Sequence, residues 1–146
     1  DVHKVLGIPF TGKELRIPSL EEINHIKNII CIRLNVSEFK KTRSVLTDIL
    51  SKKHEAPMSD EQIVAFKTAL ILLLMTKFLA PQTLLDNICP RYFMALKNSD
   101  DIPNWNWARY VINDIIAAAR ALANKLTDET KATYINGCVI FLQVFT

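Results

Sequence analysis

Apolar residues recur at every third or fourth position along most of this chain, which is the spacing of one face of an α-helix. Ser19 followed by Glu22, and Ser59 followed by Gln62, have the capping-box pattern that begins helices. The sequence therefore predicts helices that start near residues 20 and 60. The apolar residues that recur at helical spacing in the first helix are Leu20, Ile23, Ile26, Ile30 and Leu34.

Further helices are predicted from the same spacing and from the positions of proline. Ser37 is expected to cap an amphipathic second helix, and the third helix should be interior because Ala69 to Met75 is apolar all round. A loop is expected over Asn98–Pro103, where polar residues precede a proline. The other expected elements are short helices over 84–88 and 91–97, a long helix from about Asn104 to Lys125, and a last helix from Thr127.

The first eighteen residues have a different pattern. Gly7, Pro9, Gly12 and Pro18 interrupt their apolar positions, so we expect an extended arm rather than a helix. Because no linker-like or low-complexity segment follows, residues 1–146 are interpreted as a single helical domain. The predicted fold class is all-α, a compact irregular or orthogonal bundle of five to seven helices with an extended N-terminal arm.

Composition limits where such a domain functions. Three cysteines, Cys31, Cys89 and Cys138, without CxxC spacing favour neither a disulfide framework nor a zinc site, which is typical of a reducing compartment. The longest uncharged apolar run, Thr68 to Thr76, is shorter than the roughly 20 residues of a membrane span. We therefore expect an intracellular protein of the nucleus or cytoplasm without a membrane partner. Because the chain begins at Asp1, we expect it to be part of a longer protein.

Catalytic motifs are not evident in the sequence. His3, His25 and His54 lie in three different segments without metal-ligand spacing, and the chain has only three glycines with which to form a phosphate-binding loop. Adjacent carboxylates in this sequence are explained by helix starts and loop solvation. The sequence therefore predicts no enzyme activity, no metal and no cofactor.

Two groups of residues are candidates for binding. Trp105 and Trp107 flank Asn106, and on a helix they point about 200° apart, so one ring is expected at the surface. With Tyr92 and Tyr110, an exposed tryptophan would form an anchor for a protein partner. The alternative is that both tryptophans close the end of the bundle.

The second candidate is the basic side of helix two. Its cations could contact phosphates along a nucleic acid backbone, although no aromatic residue lies among them to stack on a base. The alternative is an ordinary solvated helix face. The residues are Lys40, Lys41, Arg43, Lys52 and Lys53.

The last 80 residues have motifs that resemble a known kind of domain. They contain Thr76-Lys77-Phe78-Leu79-Ala80-Pro81, Asn104-Trp105-Asn106-Trp107-Ala108 and Gly137-Cys138-Val139-Ile140-Phe141-Leu142-Gln143. These segments resemble a helical domain of mobile-element-associated plant proteins, abundant in grasses, some of which carry a Ulp1-like protease domain elsewhere. The resemblance implies an accessory module, and no residue here matches the protease His, Asp and Cys set.

Together these observations predict a non-catalytic helical module for protein interaction or self-association. The alternative hypothesis is a nonspecific nucleic-acid-binding domain that uses the basic side of helix two. Neither hypothesis requires a cofactor.

Overall fold

The protein is all-α in the computed structural model, which describes residues 4, 6–82, 88–127 and 137–138. These residues contain no β-sheet, so the predicted fold class is confirmed. The α-helices are α1 (Leu20–Leu34), α2 (Thr42–Ser51), α3 (Asp60–Leu74) and α4 (Trp107–Thr127). The chain divides into two compact units, residues 15–74 with 90–103 and residues 1–14 with 75–89 and 104–146. We call them the α1–α3 unit and the α4 unit.

The core of the α1–α3 unit lies where α1 and α2 pack against α3 and where α1 packs against a 3-10 helix, Pro90–Leu96. From α1, the row Ile26, Ile30 and Leu34 faces this core, because residues four apart share one side of a helix. Tyr92 and Phe93 enter it from the 3-10 helix. One side of α1 is therefore committed to the interior.

The start of α1 agrees with the sequence pattern, but the predicted stripe does not extend to its first residue. Ser19 accepts a hydrogen bond from the Glu22 backbone N–H, and the Glu22 carboxylate accepts one from the Ser19 N–H. Leu20, however, is 75% exposed. It lies about 120° around the helix from Ile26, so its side chain projects toward solvent rather than into the core that Ile26 enters.

Helix α2 begins later than predicted. A 3-10 turn, Phe39–Lys41, precedes it, and α2 starts at Thr42. Ser37 is not a helix cap, since its hydroxyl accepts a hydrogen bond from the Lys41 ammonium at 3.1 Å. Leu46 is the buried contribution of α2 to the core.

Helix α3 continues into a π-helical turn, Met75–Leu79, so that Asp60–Leu79 is 20 residues long. By length and composition alone this helix is long and apolar enough to cross a membrane, a test that buried helices of water-soluble proteins also pass. Its residue Lys67 forms an ion pair with Asp100 at 3.2 Å. The expectation of no membrane partner stays a prediction.

The predicted loop at Asn98–Pro103 is mostly a 3-10 helix, Ser99–Asn104. The Asn98 side chain accepts a hydrogen bond from the Asp100 N–H at 3.0 Å, which turns the backbone into the first 3-10 step. The preceding 3-10 helix, Pro90–Leu96, confirms the expected short helix near 91–97. Arg33 binds the carbonyl groups at the end of this 3-10 helix. The Arg33 guanidinium donates to the Leu96 and Lys97 carbonyls at 2.5 and 3.1 Å.

In the α4 unit, the N-terminal arm lies along the start of α4. The backbone N–H of Lys13 donates to the Asn104 carbonyl at 2.9 Å, and the Asn106 N–H donates to the Lys13 carbonyl at 2.9 Å. Pro9 accepts from Ala108 at the same distance. The arm therefore satisfies backbone groups that a helix start leaves without partners.

Helix α4 starts at Trp107 rather than near Asn104 because Asn106 is its cap. The Asn106 side-chain oxygen accepts from the Arg109 N–H at 3.0 Å. Ala108 and Val111 pack with Cys138 in a cluster to which Leu6, Ile8, Leu79, Ile112 and Ile115 contribute. The predicted helix at 84–88 and the last predicted helix from Thr127 fall largely outside the described residues.

Gly12 tests whether the arm stabilises the α4 unit. Its φ is +110°, and an added Cβ would lie 2.2 Å from the Asn104 carbonyl oxygen. Gly12→Ala should therefore lower the free energy of unfolding by about 1–3 kcal/mol in urea denaturation. Gly7→Ala is the control, because Gly7 has φ +65° but open space around its Cβ position. Equal losses in the two variants would contradict a steric role for Gly12.

The Glu22 carboxylate predicts a pH dependence. The guanidinium of Arg16, followed by the Ser19 backbone N–H, lowers the pKa of Glu22 from 4.5 to about 2. Because the folded pKa is depressed, the stabilisation is complete above pH 4.5 and is lost as the pH falls toward 2. Unfolding followed by circular dichroism should show a smaller acid-induced loss in Glu22→Gln than in the native chain. Identical pH profiles would contradict this assignment.

Candidate functional site

The side of α1 that faces away from the core is the candidate site. Residues at four-residue spacing form one row along it, which we call the α1 outer row: Leu20, Asn24, Asn28 and Ile32. All of them are exposed, and Leu20 and Ile32 keep 75% and 79% of their surface in contact with solvent. Because each four-residue step turns by about 40°, the row winds around the solvent side of α1, and Leu20 and Ile32 lie about 120° apart on either side of the two amides.

Beside this row lies an open groove of about 880 Å³. One wall is formed by α1, including Asn24, Asn28 and Ile32 of the outer row, and the other is the chain segment that follows α1. We call it the α1 groove, and its lining includes Asn24, Lys27, Asn28, Asn35, Glu38 and Phe39. The groove lies entirely within the α1–α3 unit.

Local sequence explains why the chain turns to form the second wall. Asn35 ends α1 with φ 52° and ψ 49°, the left-handed conformation that asparagine tolerates better than most residues. The next N–H, that of Val36, donates to the Cys31 carbonyl at 3.0 Å and closes the turn. Phe39 then packs edge-on against Phe93, with ring centroids 5.7 Å apart. The groove is therefore fixed at its base by a core contact.

The charged groups of the α1 groove are engaged within their own unit. The Lys27 ammonium lies 5.2 Å from the centroid of the Phe39 ring, a cation–π contact. The Glu38 carboxylate pairs with Lys40 at 2.8 Å. Uncharged amides supply most of the remaining polarity, so the surface offers hydrogen bonds without a dominant charge.

Cys31 also lines the groove and is partly buried. Partial burial raises the pKa of Cys31 above its ordinary value of 9.0, so it is protonated at neutral pH. Among the described residues, no group of three or more histidine, cysteine or acidic side chains is placed to hold a metal ion.

The tryptophan and tyrosine residues predicted to anchor a partner differ in their solvent exposure. Trp107 and Tyr92 belong to the core and are only 4% and 1% exposed. Trp105 is half-buried with the Lys13 ammonium 5.5 Å from its ring centroid, and Tyr110 is also half-buried. Trp107 and Tyr92 therefore have a packing role in this structure, and only Trp105 and Tyr110 present part of their rings at the surface.

The basic residues of the nucleic-acid hypothesis do not form one row. Lys40 and Lys41 precede α2 and are paired with Glu38 and Ser37, respectively. Lys52 and Lys53 follow the far end of α2, a helix of 10 residues. Its length of about 15 Å separates the two lysine pairs. Arg43, the fifth residue of this set, is half-buried on α2.

The α1 outer row was not among the sequence-based candidates. One sequence feature pointed to this row, because Ile32 is apolar but lies outside the helical row of Ile26, Ile30 and Leu34. An isolated isoleucine on the polar side of a helix is common, however, and does not by itself indicate a site. Only the observed orientation of α1 shows that Ile32 and Leu20 are both exposed.

Comparison with known proteins identifies a family but no activity. A family model described as a domain of unknown function, DUF8566, matches residues 1–143. No curated protein and no solved structure matches the chain.

Asn35 tests how the groove is formed. Asn35→Ala should destabilise the protein by about 1 kcal/mol, because a residue with a Cβ and no local hydrogen bond is strained in the left-handed conformation. Asn35→Gly should unfold at the native urea concentration or slightly above it, since glycine adopts this conformation freely. If Asn35→Gly were as destabilised as Asn35→Ala, the side-chain amide rather than the turn would be the stabilising feature.

Proposed function

The chain belongs to the DUF8566 family, and we propose that it is a non-catalytic helical interaction module that binds protein through the α1 outer row. The observation that carries this proposal is the exposure of Leu20 and Ile32, 75% and 79%, on the solvent side of a well-formed helix. Burial of one such side chain against a partner contributes about 1.5–3 kcal/mol. The side-chain amides of Asn24 and Asn28, which lie between Leu20 and Ile32 in the row, supply hydrogen bonds that fix the position of the partner along α1.

The chemistry of the groove favours a protein partner over a nucleic acid. Nucleic acid backbones are bound by several cations that release counterions, and a groove with its charges internally engaged offers few. Nonspecific nucleic-acid binding by Lys40, Lys41, Arg43, Lys52 and Lys53 remains the alternative proposal. It would have to use two lysine pairs that the length of α2 separates.

The cellular context is proposed from the sequence resemblance alone. A module of this kind fits an accessory part of a mobile-element-derived plant protein in the nucleus or cytoplasm.

The proposal is tested with three single substitutions of equal charge change. Leu20→Glu and Ile32→Glu should each weaken protein association at least about tenfold, since each loses the burial of one aliphatic side chain. Ile116→Glu is the matched control, because Ile116 is a 43% exposed aliphatic residue on α4. Association is measured as molar mass across a concentration series and as quantitative capture of labelled proteins, with circular dichroism to verify folding.

Three results would distinguish the alternatives. Loss of association in Leu20→Glu and Ile32→Glu but not in Ile116→Glu supports the α1 outer row. Equal association in all three variants would overturn it. Binding of a duplex DNA that weakens with salt and with Lys52→Glu would replace it with the nucleic-acid function.

A further inference from the structure

Three asparagine side chains along the α1 groove are available for hydrogen bonds. Asn24, Asn28 and Asn35 all line the groove, and all are exposed. Within the part of the chain that the structure describes, none of their side-chain amides forms a hydrogen bond. Each amide has donors on its nitrogen and an acceptor oxygen. The groove therefore offers three donor–acceptor pairs to a molecule that lies along it.

The spacing of the first two amides matches the repeat of an extended peptide. Four helical residues separate Asn24 from Asn28, which is a rise of about 6 Å along α1. In an extended chain, the backbone N–H and C=O groups of alternate residues point to the same side and recur about every 6.6 Å. Every second residue of a peptide lying along α1 can thus meet one of these amides.

Two ammonium groups give the groove a positive charge. Lys27 lies 5.2 Å from the Phe39 ring centroid, a contact that orients the ammonium without neutralising it. On the other wall, Lys41 donates to the Ser37 hydroxyl at 3.1 Å. Among the described residues, no carboxylate forms a salt bridge with either ammonium, and Glu38 already has a cationic partner. The groove is therefore complementary to an acidic occupant.

The dimensions of the groove fit a short segment rather than a folded domain. Stable interfaces between folded proteins use some 20–30 residues on each side, far more than line this groove. The rise from Asn24 to Asn35 is roughly 17 Å, the length of about five residues of extended chain. Between these ends, the half-buried Val36 and Phe39 provide apolar surface for the side chains of such a segment.

We propose that the α1 groove binds an extended acidic peptide segment of a partner protein, about five residues long. Asn24 and Asn28 pair with the main chain of the segment, and Asn35 holds its end where α1 stops. Lys27 pairs with one of its carboxylates. This inference rests on the proposed interaction function and gives the chemistry of the partner.

The asparagine amides favour a peptide over a nucleic acid in this groove. Phosphate oxygens only accept hydrogen bonds, so a phosphate backbone would leave the asparagine oxygens without donors. A peptide main chain supplies a donor and an acceptor at every residue except proline. A peptide therefore uses both halves of each amide.

Selection from a random peptide display library on the immobilised chain tests the charge preference. The selected peptides should be enriched in aspartate and glutamate, and their binding should weaken as salt rises. Selection on the Lys27→Glu chain should instead enrich lysine and arginine, because the substitution reverses the charge on the α1 wall. Circular dichroism verifies that the variant is folded. The same peptides selected on both chains would overturn the role of Lys27.

Substitution of the asparagines tests the hydrogen bonds. Asn24→Ala and Asn28→Ala should each weaken binding of a selected peptide about three- to tenfold, the effect of losing a hydrogen-bonding side chain. Asn35→Gly should also weaken binding while the turn that ends α1 is retained. Asn113→Ala is the matched control, because Asn113 is an exposed asparagine on α4 that does not line the groove. Native affinity in all four variants would contradict the proposal.

Backbone N-methylation of a selected peptide tests main-chain recognition. Methylation of alternate residues removes the N–H donors that face α1 in one register and should reduce binding at least about tenfold. Methylation of the intervening residues should have a much smaller effect. Equal affinities for the two methylated peptides would overturn binding of an extended main chain.

Failure of this inference can be distinguished from failure of the proposed function. If no peptide is enriched while Leu20→Glu and Ile32→Glu still reduce capture of a folded protein, the acidic peptide is ruled out and the interaction function stands. If that capture is also unchanged, both are overturned. Salt-sensitive binding of duplex DNA that requires Lys27 and Lys41 would assign the groove to nucleic acid instead.

Discussion

The burial of one side of α1 is the constraint on which the candidate site depends. Ile26, Ile30 and Leu34 enter the core of the α1–α3 unit, where they meet α3 and the 3-10 helix that contains Tyr92 and Phe93. Successive residues of an α-helix are related by a fixed rotation of about 100°. The orientation of this buried side therefore sets the direction in which every other residue of α1 points. Ile32, about 160° from Ile30, is consequently held in solvent, together with the amides of Asn24 and Asn28.

The ends of the elements are stabilised by polar contacts that leave the outer row undisturbed. The capping box of Ser19 and Glu22 fixes the start of α1, and the left-handed Asn35 fixes its end. In the α4 unit, backbone hydrogen bonds from the arm perform the equivalent task at the start of α4. Both solutions satisfy backbone groups that a helix leaves unpaired at its ends.

The interaction proposed for the α1 outer row relies on contacts that need no catalytic motif. Binding through a helix face requires shape, exposed aliphatic groups and matched amides, none of which needs a perturbed pKa or a metal. Cys31, the most reactive residue type in the groove, has its pKa raised by burial and stays protonated. The groove charges of Lys27 and Glu38 are likewise engaged within the unit.

Sequence alone determined the all-α class, the two capping boxes and the approximate positions of α1, α3 and α4, because these follow from local spacing and local hydrogen bonds. It misplaced the start of α2, treated Asn98–Pro103 as a loop, and counted Leu20 in the apolar row of the first helix, although Leu20 is 75% exposed. It also grouped Trp107 and Tyr92 with a surface, although both are buried. Only the tertiary structure decided these points, because burial depends on which residues distant in sequence pack against a helix, and local spacing does not record that choice.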